Sequence, residues 1–177
     1  MVIEKAAGMP FEHFVQTRIL GPLQLNHTGY DDAKQVLEHR ASGYVLTEGK
    51  LENTDPVDAS VPWSAGGFYS TIGDLSVWMQ SLVQGRLLNT QSTDLMFHAY
   101  PETLLQGVHY GYGIVLGERF GHRLEYYAGG IDGFSSVLQL YPDVDLNLIV
   151  MSNLDPRTAS APAWTVADGL AAVILGK

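Results

Sequence analysis

HRLEYYAGGIDGFSSVLQLYPDVDLNLIVM, running from His122 to Met151, decides how this chain is read. It breaks into short runs of residues that suit a pleated, half-buried surface. His122–Tyr127, Gly133–Tyr141 and Asp145–Met151 are the strand candidates. Gly129 to Gly133 and Pro142-Asp143 supply the breaks between them. Leu146, Leu148, Ile149, Val150 and Met151 are apolar on both strand faces, as in a covered sheet. Working outward, Tyr110–Leu116 is a further strand candidate, ended by Gly117-Glu118. A closing helix is expected over about Ala161 to Leu175, with Trp164, Ala167, Ala171 and Ile174 on one side. Three or four antiparallel strands with a helix on one face make an α+β layer.

The first hundred residues read differently. Val2 to Ala7 predicts a short helix stopped by Gly8, with no capping residue before it. So short a helix is marginal alone, and it reads as one whose beginning lies upstream. Pro10 opens a second helix with Phe11, Phe14, Val15 and Arg18 on one face, and Gly21-Pro22 is expected to end it. Residues 42–55 predict a hairpin with Glu48-Gly49-Lys50 at its turn, and Pro56 to Gly67 reads as loop. The clearest helix runs from about Thr71 to Gln84. Thr71 and Asp74 have capping-box spacing, and Leu75, Trp78, Met79 and Leu82 form the inward stripe. A shorter helix is expected over Thr90 to His98. The whole reads as a single, partial domain: a helical and hairpin region over 1–105, then strands and a helix over 106–177. There is no internal repeat.

Composition narrows the function classes. The 177 residues are 46% apolar and 16% charged, a globular balance rather than a disordered one. Nineteen acids against ten Lys and Arg leave a formal charge of −9. With no basic cluster, binding to nucleic acid or an anionic membrane surface is not expected. No apolar run approaches the roughly 20 residues of a membrane span. With no cysteine there is no disulfide framework, no thiolate nucleophile and no Cys-bound zinc. The first residues, Met-Val-Ile-Glu-Lys, lack the basic and apolar regions of a signal peptide. Compartment stays open between periplasmic or secreted and cytoplasmic.

Few residues offer chemistry unaided. Ser64 and Ser135 do not sit in Gly-x-Ser-x-Gly, so a triad with His98, His109 or His122 is disfavoured. The six histidines form no His-x-x-x-His pair, and neither a metal nor a cofactor is expected. Gly129, Gly130 and Gly133 can simply make a tight connection, and Tyr126 and Tyr127 can be ordinary sheet aromatics. The glycine cluster is not a dinucleotide loop, because a strand follows it.

Several passages, taken in order, resemble one family. They are Val2 to Pro10; Ile19-Leu20-Gly21-Pro22-Leu23-Gln24-Leu25 with Thr28; Ala65 to Thr71 with Asp74-Leu75 and Trp78; Tyr110-Gly111-Tyr112-Gly113; Tyr127 to Ser136; and Met151-Ser152-Asn153. Each is weak alone; their order and spacing resemble the serine β-lactamases and penicillin-binding proteins, with the ampC-type enzymes, D-Ala-D-Ala carboxypeptidases and related esterases as the nearest branch. The resemblance implies an incomplete β-lactamase/transpeptidase-like fold and, in the intact protein, hydrolysis of a small-molecule or peptide substrate through an acyl-serine. It also implies that two motifs are missing. Ser-x-x-Lys, which places nucleophile and lysine on one helix face, does not occur in this sequence, and neither does Tyr-x-Asn. In the family both precede the passage at which this chain begins.

The third motif, Lys-Thr-Gly or His-x-Gly in relatives, is matched by Tyr127-Ala128-Gly129. By resemblance the N–H of Gly130 is an oxyanion-hole donor, Tyr127 holds the catalytic third-motif position, and Ala128 and Gly129 line the substrate. Tyr127 donates through its hydroxyl but cannot hold a carboxylate as a cation does. That departure favours a neutral ester or amide over a β-lactam. In the family, N-terminal strands pair beside the last C-terminal one. Without them, Asp145–Met151 is expected to be an apolar edge that invites self-association, domain swapping or a complementing chain. Three readings stay open: the late half of a hydrolase, inert alone; a non-catalytic module for peptide or cell-wall fragments; or a structural domain.

Overall fold

The computed structural model describes residues 2–100 and 107–177. Helices α1 (Val2–Ala7) and α2 (Phe11–Val15) lead through a π-helical turn, Gln16–Leu20, into α3 (Gly21–Leu23). Next come β1 (Gly29–Tyr30), β2 (Tyr44–Thr47), β3 (Lys50–Asn53), β4 (Phe68–Tyr69), α4 (Ile72–Val83) and α5 (Thr90–Met96). The remainder is β5 (His109–Tyr110), β6 (Val115–Arg119), β7 (His122–Ile131), β8 (Phe134–Tyr141), β9 (Leu146–Ser152) and α6 (Ala163–Ile174). These elements group into two compact units: Met1–Glu38 with Val57–Asn89, and His39–Pro56 with Thr90–Lys177.

In the helical unit, the helix opened by Pro10 does not end at Gly21-Pro22 as expected but continues to Leu23. A proline inside a helix has no N–H to give and crowds the carbonyl four residues back. The widened π turn just before Pro22 breaks the regular ladder where the ring needs room. The end is a Schellman closure. Gln24 is left-handed (φ 57°), Leu25 N–H donates to Leu20 O at 2.9 Å, and Gln24 N–H donates to Gly21 O at 3.0 Å. Leu20 and Leu25 then pack with Val15 in the core of this unit.

Helix α4 starts as its spacing predicts, with the Asp74 N–H donating to Thr71 Oγ1 at 3.2 Å. Of its expected stripe, Met79 is buried and Leu75, Trp78 and Leu82 are half-buried. The buried Asp74 carboxylate accepts from the His27 N–H (2.8 Å) and Thr28 Oγ1 (2.7 Å), pinning the turn after α3 to the start of α4.

The second unit is a five-stranded antiparallel sheet in the order β5-β6-β7-β8-β9, so the expected α+β class holds. Two strand boundaries differ from expectation. The run Tyr110–Leu116 is two strands: Gly111 N–H bonds Ile114 O at 2.9 Å, the chain reverses, and Tyr110 pairs with Val115. And β7 does not stop at Tyr127. Gly129 and Gly130 stay extended in register with Ser136 and Ser135, so only Asp132-Gly133 makes the turn. Glycines interrupt a strand only when their dihedrals leave the extended region, and among these it is Gly133 that does (φ 80°).

Helix α6 covers one sheet face through Ala163, Ala167 and Ala171, all fully buried at i, i+4, i+8 spacing. Of the four residues expected on one side of this helix, Ala167 and Ala171 are buried, whereas Trp164 and Ile174 are exposed, at 38% and 57%. Alanine at each contact lets the helix backbone lie close over Val137, Ala128 and Val150, and larger side chains are turned outward. Asp168 fixes the helix laterally, accepting from Arg119 Nη2 (2.6 Å) and Gln139 Nε2 (2.9 Å). Ser135 Oγ accepts from the Ala163 N–H at 3.2 Å, a cap that Pro162 cannot provide.

The hairpin closes on a two-residue turn, Glu48-Gly49, with φ of 49° and 80°; Lys50 already belongs to β3, paired with Thr47. Although it lies among the early helices in sequence, it docks on the late strands. Tyr44 N–H donates to Asn153 O (3.0 Å), and Asp155 N–H donates to Tyr44 O (2.8 Å). The division expected at 105/106 lies outside the described residues. Among the described residues, strand β9 has β8 on one side and is the last strand of the sheet.

Candidate active site

Strand β6 accompanies β7 only as far as the pair Val115–Tyr126, whereas β8 accompanies it to Ile131–Phe134. Tyr127 to Ile131 is therefore a sheet edge among the described residues, next to a strand that has stopped. Antiparallel pairs alternate between hydrogen-bonded and non-bonded. A two-residue turn closes on a bonded pair, here Ile131–Phe134, so alternation turns the backbone N–H and C=O groups of Gly130 and Ala128 away from β8. All four residues singled out from the sequence are thus contiguous on this edge.

Their side chains divide between the two faces. Ala128 is half-buried against the Val137–Ala163–Ala167 cluster under α6. Tyr127 is on the opposite face, 49% exposed. Gly129 shares that opposite face, where a Cβ would meet Ser136 Oγ at 3.4 Å. Gly130 is exposed, but a Cβ there would stand 3.0 Å from Cγ of Pro156.

Around the end of β7 lies a group that sequence reasoning missed. Arg157 Nη2 bonds both Asp155 Oδ2 and Asp132 Oδ1 at 2.6 Å. Arg157 Nε and its backbone N–H both donate to Asp155 Oδ1 at 2.9 Å. The Gly133 N–H donates to Asp155 Oδ2 at 3.3 Å. Asp155 is 1% exposed, and the Arg157 hydrogen bonds hold its carboxyl well below the usual carboxylate range against the opposing effect of burial. The signal was available as Asp-Pro-Arg just after Ser152-Asn153, but nothing in the sequence says that this loop reaches the Asp132-Gly133 turn.

Two residues before Tyr127 on the same face, Glu125 is buried. Burial pushes its carboxyl up, opposed by Arg123, whose Nη2 lies 3.1 Å from Oε1. Ser135 is 3% exposed with its Oγ engaged by α6, which fits a cap and not a nucleophile. His122 Nδ1 pairs with Asp143 (3.0 Å) and His109 Nδ1 with Tyr100 O (2.9 Å). A polar groove of about 530 Å³ lies in the helical unit, lined by Glu12, Gln16, Tyr30, Asp32 and Tyr69 among others; no part of β7 forms its wall. No helix of the described residues is long and apolar enough to cross a membrane.

Comparisons with known proteins place the chain in a family. The family model for Beta-lactamase matches residues 1–173. The chain belongs to the beta-lactamase family. Among relatives, the mouse serine beta-lactamase-like protein LACTB, mitochondrial, is 31% identical over 109 residues, 59% of this chain and 20% of LACTB. Penicillin-binding protein 4* of Bacillus subtilis is 27% identical over 171 residues, 89% of this chain and 38% of its own length. The octameric penicillin-binding protein homologue from Pyrococcus abyssi superposes with a TM-score of 0.85 at 22% identity, covering 99% of this chain and 40% of that one. The D-stereospecific amidohydrolase from a Streptomyces species superposes at 0.77 with 28% identity, covering 87% and 47%. The chain spans less than half the length of each of these four proteins.

Proposed function

We propose that Tyr127 to Gly130 forms one wall of the reaction cleft of a serine acyl-hydrolase whose nucleophile lies outside these 177 residues. The observation that carries this is the end of β6 pairing at Tyr126, which leaves the outward backbone groups of Ala128 and Gly130 open to a ligand. In the reaction, a serine oxygen attacks the substrate carbonyl carbon and a C–O bond forms. Negative charge moves to the carbonyl oxygen, where the Gly130 N–H donates to it. The charge then collapses, the leaving group departs with a proton, and water hydrolyses the acyl-serine ester. One oxyanion donor of this kind is worth about 10²–10³ in rate.

Tyr127 occupies the position at which relatives carry a cation or an imidazole, so the substrate class is a neutral ester or amide. Its hydroxyl donates to a carbonyl or leaving-group oxygen but supplies no positive charge. This chain by itself carries no Ser-x-x-Lys, and on this reading it does not form an acyl-serine alone.

The test compares this chain with a longer form that supplies Ser-x-x-Lys in frame upstream. A fluorophosphonate label should attach to the longer form and leave this chain unlabelled. In the longer form Gly130→Pro, which removes the N–H, should lower kcat about 10²–10³-fold relative to Gly130→Ala, which meets Pro156 equally but keeps it. Covalent labelling of this chain alone, or equal kcat for the two variants, would overturn the proposal.

The same reading extends to assembly. Among the described residues strand β9 is the last of the sheet, and it carries Leu146, Leu148, Ile149, Val150 and Met151, which makes it a template for pairing with a second copy or with a chain supplying the rest of the fold. Light scattering should show association that grows with concentration; a clean monomer at high concentration counts against it.

A further inference from the structure

Two separate stretches, the loop after β9 and the base of the hairpin, converge on the Asp132-Gly133 turn and on Gly130 before it. From the loop after β9, Asp155 accepts the Gly133 N–H, and Arg157 ties Asp155 to Asp132. From the base of the hairpin, Gly43 and Thr54 close over Gly133, where a Cβ would stand 2.7 Å from Gly43 Cα and from Thr54 Oγ1. From the same post-β9 loop, Pro156 lies against Gly130 itself. None of these contacts is part of the β7–β8 ladder, which runs unbroken from Glu125–Leu140 to Ile131–Phe134.

The need for such a device follows from the edge. A strand held on one side only is free to twist about its ladder, and Gly129-Gly130 has no side chain to resist. Glycine is the residue whose backbone has most conformational freedom to lose. A donor aimed at a developing oxyanion works because it is preorganised, at about 2.7–3.1 Å from where the charge will sit. A displacement of about 1 Å from a change remote from the chemistry can lower a rate about 10²-fold.

We infer that Asp155 and Arg157 are positioning residues: bridged to Asp132 and to the Gly133 N–H, they hold the Gly129-Gly130 edge in the orientation that an oxyanion donor requires. The aspartate is the buried anchor and the arginine is the strap. Its guanidinium is largely exposed, yet it satisfies two carboxylates at once through a planar donor set that an ammonium cannot reproduce. Pro156, between them in sequence, covers the α6 side of Gly130 and limits its movement in that direction. The inference rests on the reading of Gly130 as the oxyanion donor, and its test separates the two.

The first measurement needs only this chain. Backbone 15N relaxation should give Gly130 and Gly133 order parameters near the rigid value of about 0.85 in the wild type and below about 0.6 in Arg157→Ala, with β8 residues unchanged. Arg157→Lys should fall between them. Asp132→Asn, which weakens only the exposed arm of the strap and leaves buried Asp155 paired, keeps the question answerable if Arg157→Ala does not fold. It should loosen Gly130 less than Arg157→Ala. Unchanged order parameters in Arg157→Ala, or in Asp132→Asn where that variant alone folds, overturn the clamp.

The second measurement uses the longer, nucleophile-bearing form. Arg157→Ala should lower kcat at least tenfold with KM within twofold, since an oxyanion donor acts in the transition state. A raised KM with unchanged kcat overturns the positioning role. Inactivity of the longer wild-type form overturns the oxyanion reading but not the clamp, which the order parameters decide.

Discussion

Gly133→Ala tests how tightly the hairpin base is closed over the β7–β8 turn, and Gly49→Ala is its built-in control. Both glycines have φ of 80°, so alanine at either site carries the same left-handed backbone cost, about 1–2 kcal/mol. At Gly49 a new Cβ has nothing within 4 Å, and that cost is the whole effect. At Gly133 the Cβ would sit 2.7 Å from Gly43 Cα, 2.7 Å from Thr54 Oγ1 and 3.0 Å from the Gly43 carbonyl carbon. Carbon atoms prefer roughly 3.5–4.0 Å, and two of these three neighbours are backbone, so the hairpin must move. Overpacking of this kind costs about 1–3 kcal/mol beyond the backbone term. The expected loss is thus about 2–5 kcal/mol at Gly133 against about 1–2 kcal/mol at Gly49. Urea unfolding followed by far-ultraviolet circular dichroism reads the difference. With a slope of about 1–3 kcal/mol per molar, the Gly133→Ala midpoint should lie roughly 1 M below that of Gly49→Ala. Equal midpoints would show that the hairpin does not press on the turn, and would remove one of the three supports proposed for the Gly130 edge.

Other outcomes follow from single groups. Asp74→Ala removes a buried acceptor of two hydrogen bonds and should cost about 2–4 kcal/mol in the same urea assay, leaving the His27 N–H and Thr28 hydroxyl to find water. Glu125 has its folded-state pKa raised by burial, so its contribution to stability is full below the unfolded value near 4.5 and is lost as pH rises through the folded value. Glu125→Gln should accordingly leave stability at pH 4 unchanged and raise it at pH 7; equal gains at both would assign the effect to packing. Asp155 behaves oppositely. Its folded pKa is depressed, so its contribution is present above the unfolded value near 3.8 and disappears as pH falls below it. The stability gap between wild type and Arg157→Ala should therefore be wide at pH 7 and narrow steadily below about pH 3.8 in a series of denaturant titrations.

Much of this was legible along the chain. Thr71 and Asp74 announced the start of α4 because a cap is a local contract between residues three apart. The β7, β8 and β9 runs were visible because strand-forming residues and turn residues alternate on the scale of a single strand. The order of motifs places the chain in its family, and the Tyr127-Ala128-Gly129-Gly130 stretch is singled out by its resemblance to the third family motif and not by its glycines alone. The failures share one cause. Gly129-Gly130 was read as a break because a glycine's conformation is set by what surrounds it; pairing with Ser136 and Ser135 keeps it extended. Grouping Trp164 with Ala167 and Ala171 on one side of α6 fails because hydrophobicity alone does not say which stripe must be thin enough to lie against Val137. Pro22 was read as a stop because the widened turn that admits it has no sequence signature.

The sequence by itself determined the class of fold, the family and the strand that bears the candidate site, since caps, periodicity and motif order are written in residues close to one another. Only the tertiary structure decided that β6 pairs with β7 no further than Tyr126, that among the described residues this leaves the Gly130 edge open, and that Asp155, Arg157 and the hairpin base meet at the next turn. The contacts at that turn join residues such as Gly133 and Asp155, 22 positions apart, and Asp132 and Arg157, 25 apart, and their existence depends on the register and twist of a whole sheet, which no short window of sequence carries.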